Sequence, residues 1–253
     1  MAVIAGNWKM NLGPVAARAF FERFHADDVP EEHEILVFPP AISIGAAMQA
    51  RPARVAVGVQ NLHWEDAGAF TGEISAPMAA EAGATFALVG HSERRHVFGE
   101  TDEQVRLKVE AALRAGLTPV VCVGETLEER RAGQVDEVIV RQLGAVLPVL
   151  GQHGARFLVA YEPVWAIGTG ETATPEDASA AHATLRACLE DAAGVAGAER
   201  VPILYGGSVK SSNAAELLAA PDVDGVLVGG ASLDPEEFHR IALAAPAQPS
   251  VHR

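Results

Sequence analysis

Positive charge is scarce in this chain. Nineteen Lys and Arg stand against 33 Asp and Glu, for a net charge of −14. A surface of that sign does not suit nucleic acid or an anionic membrane, both of which recruit basic patches. A small anion remains allowed, because backbone N–H groups at helix starts bind anions even in acidic proteins. Cysteine is scarcer still: Cys122 and Cys188 are the only two and form no CxxC pair. That argues against a metal or redox site and fits a reducing compartment. His63, His96 and His182 lack ligand spacing, so no metal is expected. There is no membrane-length apolar run, since the longest uncharged stretch, 35–50, is broken by Pro39-Pro40. The N-terminal MAVIAGNWKMN lacks a basic start and reaches Lys9 after eight residues, which does not read as a signal peptide. No GxGxxG follows the first apolar run, and GTGETA lacks the Lys-Ser/Thr of a nucleotide-binding loop. The expectation is a cytoplasmic protein without metal or cofactor.

What the chain does have is apolar residues, 49% of 253. They fall into short β-branched runs at 3–7, 34–39, 55–60, 85–90, 118–124, 157–162, 201–206 and 224–230. These runs are nearly continuous rather than alternating, as in parallel strands buried on both faces. Between them lie amphipathic stretches with start signals. Thr101 with Gln104 and Thr126 with Glu129 fit capping boxes, and Thr174-Pro175 and Asp234-Pro235 place a cap before a first-turn proline. In 102–115, Val105, Val109, Ala112 and Leu113 share one face, and Gly116 ends the run. Eight β-then-α units predict a closed (β/α)8 barrel, one domain over 1–253; a doubly wound open sheet is the competitor.

In such a barrel the site lies at the C-terminal strand ends. Those ends carry Asn7 and Lys9, Gln60-Asn61, His91-Ser92-Glu93, Gly124-Glu125, Glu162, Gly206-Gly207-Ser208 and Gly229-Gly230. Position alone leaves Glu162 open between a surface acid paired with an arginine and a general base. Held against Tyr161, Val164 and Trp165, its proton affinity would rise, as suits a base. His91 is either a simple helix cap or an imidazole kept neutral by the helix dipole. Lys9 is either solvated or reaches over the barrel mouth. Glycine turns after strands 7 and 8 are where barrels commonly hold phosphate.

GNWKMN (6–11), GAFTGEIS (68–75), GHSERR (90–95), CVGETLEER (122–130), YEPVWAIGTG (161–170), YGGSV (205–209) and GVLVGG (225–230) occur in this order along essentially the whole chain. Together they resemble the triosephosphate isomerase family. The resemblance implies interconversion of dihydroxyacetone phosphate and glyceraldehyde 3-phosphate, with Glu162 as base and His91 as neutral electrophile. It gives Lys9 and Asn7 to the substrate oxygens and leaves Glu93 as a third carboxylate of less defined role. Ser92 would hold Glu162 in the empty site. Gly168, Ser208, Gly229 and Gly230 would offer N–H groups to phosphate. Residues 163–173 would form a lid, with Pro163, Val164 and Trp165 as one hinge and Ala166, Ile167, Gly168, Thr169 and Gly170 as the tip. Glu171, Thr172 and Ala173 would make the second hinge, and Glu171 departs from the lysine common in the family. The long stretch 61–75 resembles the family's dimer loop, which would bring Thr71 to a partner's Asn7 and Lys9. The other readings are a different sugar-phosphate isomerase barrel and a catalytically dead barrel kept for interaction.

Overall fold

The computed structural model describes residues 1–154, 156–167 and 173–246. Eight strands run in chain order: β1 (Val3–Asn7), β2 (Glu34–Phe38), β3 (Val55–Val59), β4 (Phe86–Val89), β5 (Thr118–Val123), β6 (Leu158–Tyr161), β7 (Ile203–Tyr205) and β8 (Gly225–Val228). Each pairs in parallel with the next, and β8 pairs with β1, so the sheet closes into a TIM barrel. β1 matches its apolar run, whereas the other strands stop one or two residues inside theirs. Those left over at the C-terminal ends, including Gly90, Gly124, Glu162, Gly206 and Gly229, lie past the strands and form the barrel mouth.

The strands are buried on both faces, which explains the unbroken apolar runs. Val3, Ala5, Leu36, Phe38, Phe86, Leu88, Val120, Cys122, Leu158 and Ala160 fill the interior with their neighbours. The alternate residues Ile4, Ile35, Val37, Val57, Val89, Val121, Val159 and Tyr161 pack outward under the helices. This two-residue period is the pleat of each strand, and filling both sides makes the barrel a core rather than a pore.

Helix starts follow the sequence signals. The side chains of Thr101, Thr126 and Thr174 accept from N–H groups three residues on, each in a reciprocal capping box. Asp234 accepts from the N–H groups of Glu236 and Glu237 at 2.9 and 3.0 Å. Such caps contribute about 1 kcal/mol each and fix where each helix leaves the mouth. Trp8 anchors the chain beyond β1. Its fully buried ring lies 4.9 Å from Phe20 and 5.8 Å from Phe21, so the residues flanking it are held at the barrel rim. Truncating a tryptophan so buried costs about 3–5 kcal/mol. Among the described residues no helix is long and apolar enough to cross a membrane.

Candidate active site

Asn7 ends β1 and is buried; its Oδ1 accepts from the Lys9 N–H at 3.0 Å. Lys9 has a left-handed backbone, with φ of 49°, where a residue with a Cβ is strained by about 1–3 kcal/mol. Gln60, just past β3, holds it there. Its Nε2 donates to the Lys9 carbonyl at 2.8 Å and to the Phe38 carbonyl at 2.7 Å. The strain thus turns the lysine inward, and its Nζ meets Glu93 Oε1 at 2.6 Å.

His91 follows β4 and caps the helix Ser92–His96. Its Nδ1 accepts from the Glu93 N–H at 3.3 Å, so the neutral ring carries its proton on Nε2. That nitrogen points at Glu162, with Nε2 2.9 Å from Oε1. Glu162, at the end of β6, is 2% exposed. It also accepts from the Ser92 N–H at 2.9 Å and the Ser92 hydroxyl at 3.3 Å. Burial pushes its pKa up, but His91, the Ser92 N–H and Lys9 outweigh burial and hold it below the ordinary range. Burial likewise lowers His91, yet the facing carboxylate overrides this and raises it. The apolar surrounding expected for Glu162 is therefore not its environment in this arrangement. Tyr161 and Trp165 turn their polar atoms elsewhere.

They turn to Glu125, which is completely buried at the end of β5. It accepts from the Tyr161 hydroxyl at 3.0 Å and from Trp165 Nε1 at 2.8 Å, and pairs with Arg130 at 3.3 Å. Arg130 also stacks over the Trp165 ring, 4.6 Å from its centroid, and pairs with Asp177. The Val164 N–H donates to the Glu125 carbonyl at 3.1 Å. A short 3-10 turn, Val164–Ala166, is thereby tied to the end of β5 immediately after Glu162. Of the expected lid, Pro163 to Ile167 and Ala173 are described, while Gly168, Thr169, Gly170, Glu171 and Thr172 lie outside the described residues.

Asn7, Lys9, His91 and Glu162 line one side of a mouth cavity of about 360 Å³. The facing wall is mostly backbone, from Gly206, Gly207 and Ser208 after β7 and Gly229 and Gly230 after β8. Two carbonyls there are occupied by side chains. Ser232 donates to the Gly229 carbonyl through its N–H at 2.8 Å and its hydroxyl at 2.7 Å, and Asn213 Nδ2 donates to the Ser208 carbonyl at 3.0 Å. Tying down acceptors favours an anion on this wall, and Lys9 and Lys210 add the cavity's cations. Among the described residues no group of three or more His, Cys, Asp or Glu could hold a metal ion.

A buried carboxylate meets an imidazole N–H on one side of a cavity, beside an ammonium and opposite an anion-accepting wall. On a TIM barrel, this defines an acid–base enzyme for a small phosphorylated substrate. A family model for triosephosphate isomerase matches residues 2–245. Curated triosephosphate isomerases align nearly end to end with this chain. That of Alkalilimnicola ehrlichii is 53% identical over 245 residues, covering 96% of this chain and 98% of that protein. That of Halorhodospira halophila is 51% identical, covering 96% and 97%. That of Synechococcus sp. (strain JA-3-3Ab) is 49% identical, covering 94% and 93%. The chain belongs to the triosephosphate isomerase family, and its activity is the isomerisation of triose phosphates, a reaction of glycolysis.

Strand-end reasoning brought Asn7, Lys9, His91, Ser92, Glu93, Glu162, Ser208, Gly229 and Gly230 to one mouth. It missed the grip of Gln60 on Lys9 and the part of Glu125 in holding the turn after Glu162. It also missed Gln142, a buried amide whose side chain bonds Gly124 at the end of β5. One signal for Gln142 was readable: it shares the apolar face of its helix with Val138, Ile139 and Leu143.

Proposed function

We propose that Glu162 is the base that carries the proton between the two carbons of the triose. The observation that supports this is the meeting of Glu162 and His91 at the mouth cavity, with Nε2 and Oε1 2.9 Å apart. In the empty site Glu162 rests on Ser92 and His91. With dihydroxyacetone phosphate bound, the carboxylate leaves these partners and removes a proton from the carbon bearing the hydroxyl. The C–H electron pair moves into the carbon skeleton and the carbonyl oxygen becomes an enediolate oxygen. The His91 Nε2–H donates to that oxygen, while Lys9 and the Asn7 amide offset its negative charge. The proton of the hydroxyl on the first carbon passes to the former carbonyl oxygen by way of His91, which gives up its Nε2–H and takes the other proton in return, and Glu162 then returns its proton to the neighbouring carbon, giving glyceraldehyde 3-phosphate.

Separation of Glu162 from His91 tunes both groups. His91 loses the carboxylate that raised it, and burial together with the Glu93 N–H on Nδ1 keeps the ring neutral. Glu162 loses its donors and becomes the stronger base. Glu93 holds the Lys9 ammonium at the cavity edge. Phosphate rests on the N–H groups of Ser208, Gly229, Gly230 and Gly168, and residues 163–173 close over it. Closure excludes water and protects the enediolate from losing phosphate. No metal or cofactor enters this scheme, which serves gluconeogenesis in the reverse direction, and the enzyme works in the cytoplasm as one domain over 1–253.

A homodimer belongs to the same reading. The arm between His63 and Ser75 closes on itself through the His63 N–H to Ile74 carbonyl bond at 2.8 Å and stacks Phe70 on His63 at 4.1 Å. Its outer part, including Thr71, is exposed, and so are Phe98, Val97 and Met10 nearby. A second cavity of about 230 Å³, lined by Asn7, Lys9, Gln60, Glu93 and Phe98 among others, opens beside the catalytic one. A second copy's Thr71 fits there, braced against Asn7 and Lys9.

The test is turnover of Glu162→Ala in a coupled spectrophotometric assay. The expected fall in kcat is on the order of 10³-fold. A fall of less than about tenfold, under ~1.4 kcal/mol of barrier, would remove Glu162 from the role.

A further inference from the structure

On the reading of Glu162 as base, we infer that Gln142 is a positioning residue for it, acting through the peptide groups of Gly124. The helix Val135–Gly144 buries Val138, Ile139, Gln142 and Leu143 against the barrel. Three of these are apolar, and the amide is the exception. Gln142 is 5% exposed, and its Oε1 accepts from the Gly124 N–H at 2.7 Å while its Nε2 donates to the Gly124 carbonyl at 3.2 Å. One side chain thus satisfies both polar groups of a single glycine, as a neighbouring strand would.

Gly124 needs this because the ladder has run out. The β5–β6 pairing ends at Val123 opposite Tyr161; the Glu162 N–H bonds the Val123 carbonyl at 2.7 Å, and the next backbone tie, from the Val164 N–H to the Glu125 carbonyl at 3.1 Å, passes over Gly124. Just beyond, the two backbones pack more closely than any side chain permits. A Cβ on Gly124 would lie 1.8 Å from the Glu162 carbonyl oxygen and 2.6 Å from its carbonyl carbon. On the other flank, a Cβ on Gly206 would lie 2.8 Å from Glu162 Cγ, and the Gly206 N–H donates to the Tyr161 carbonyl at 2.7 Å. The base is therefore wedged between two glycines. The Gly206 side is fixed by its bond to β6. The Gly124 side is fixed by Gln142, and without it the most pliable residue type would form one wall of the wedge.

A methionine or leucine at 142 would match the rest of that helix face without burying an amide. The amide is compensated by its two bonds to Gly124, so its use is to hold that peptide. Since the carboxylate sits at the end of a short side chain, a small backbone shift is carried to its oxygens. Misplacing a reacting group by about 1 Å costs on the order of 10²-fold in rate.

The experiment compares Gln142→Met, which removes both bonds at similar length, with Gln142→Glu, which keeps an acceptor for the Gly124 N–H. Active-site concentration is set by titration with phosphoglycolate. The expected result for Gln142→Met is a kcat loss of on the order of 10–100-fold with KM within about threefold. Competition by inorganic phosphate stays unchanged, because the bonds of Gln142 go to Gly124 and not to the residues of the phosphate wall. Gln142→Glu falls between the two. In a Glu162→Ala background, Gln142→Met adds less than about threefold, since its effect passes through the missing base. Wild-type kcat per active site in Gln142→Met, or an undiminished effect without Glu162, overturns the inference. If Gln142→Met does not fold, Gln142→Glu carries the same comparisons. Should Glu162→Ala itself keep activity within tenfold, the base assignment fails, separately from any result at 142.

Discussion

Lowering the pH should weaken this protein through one residue that does not line the mouth cavity, His182. It lies in the helix Pro175–Ala193 and is fully buried. Its Nδ1 is 2.9 Å from the Asp222 carbonyl, so the neutral ring donates there and leaves the Nε2 lone pair inward. Nε2 has no hydrogen-bond partner among the described residues, and the ring meets Tyr161 edge-on at 5.9 Å. Burial pushes the pKa down to about 4 from an ordinary 6.5, and the Arg186 charge adds to this against the Asp222 carbonyl. The unfolded chain therefore binds this proton more readily than the native one. Native stability is full above pH 6.5, falls as pH drops towards about 4, and levels off below that. Between pH 7 and 5 the loss assigned to His182 is about 2 kcal/mol. The comparison variant is His182→Asn, whose Nδ2 reaches the same carbonyl and never charges. Urea unfolding at matched protein concentration, at pH 7 and pH 5, gives the difference between the two proteins. The wild type should lose about 2 kcal/mol more than the variant over that interval. Parallel losses would refute the reasoning, because they would mean that the buried ring is not what takes up the proton.

Three further outcomes are expected. Gly124→Ala should destabilise by about 3 kcal/mol, the upper end for overpacking, and lower activity as well, because the methyl must displace the Glu162 backbone; calorimetry and the coupled assay check both. Lys9→Met should lower kcat/KM by on the order of 10²-fold or more. It should barely move the melting temperature, since Lys9 and Glu93 are 26% and 45% exposed and such pairs add little stability. On the homodimer proposed above, the wild type scatters light as a dimer at micromolar concentration and Phe70→Asp as a monomer, since the charge falls on the arm assigned to the contact; an unchanged mass would place the contact elsewhere.

The barrel was legible because its strands are buried on both sides, and continuous runs such as EILVFP and TPVVCVG have few other homes. Their ends were over-read because an apolar or glycine residue after the last ladder bond looks like more strand. The meeting of candidate residues was legible at strand ends, as for His91 and Glu162, which the closed barrel brings to 2.9 Å. It was opaque where a distant element reaches in. Gln60 bonds two carbonyls, 51 and 22 residues away in sequence, and Gln142 spans 18 to Gly124. Local pattern does not encode such pairings; they arise only when the barrel closes. The electrostatics of Glu162 were misjudged for the same reason. Its neighbours in sequence, Tyr161 and Trp165, are partners of Glu125, while its own partners, His91 and Ser92, follow β4.

The left-handed backbone of Lys9 limits what can be borrowed from this enzyme. GNWKMN transplanted onto another barrel would not aim its ammonium at the mouth, because the transplanted segment would relax into ordinary extended backbone and release the side chain to water. A successful graft must also bring an amide from the third strand to span two carbonyls, and a buried indole beneath it. The smallest portable unit of this cation site is thus three adjacent strands rather than six residues.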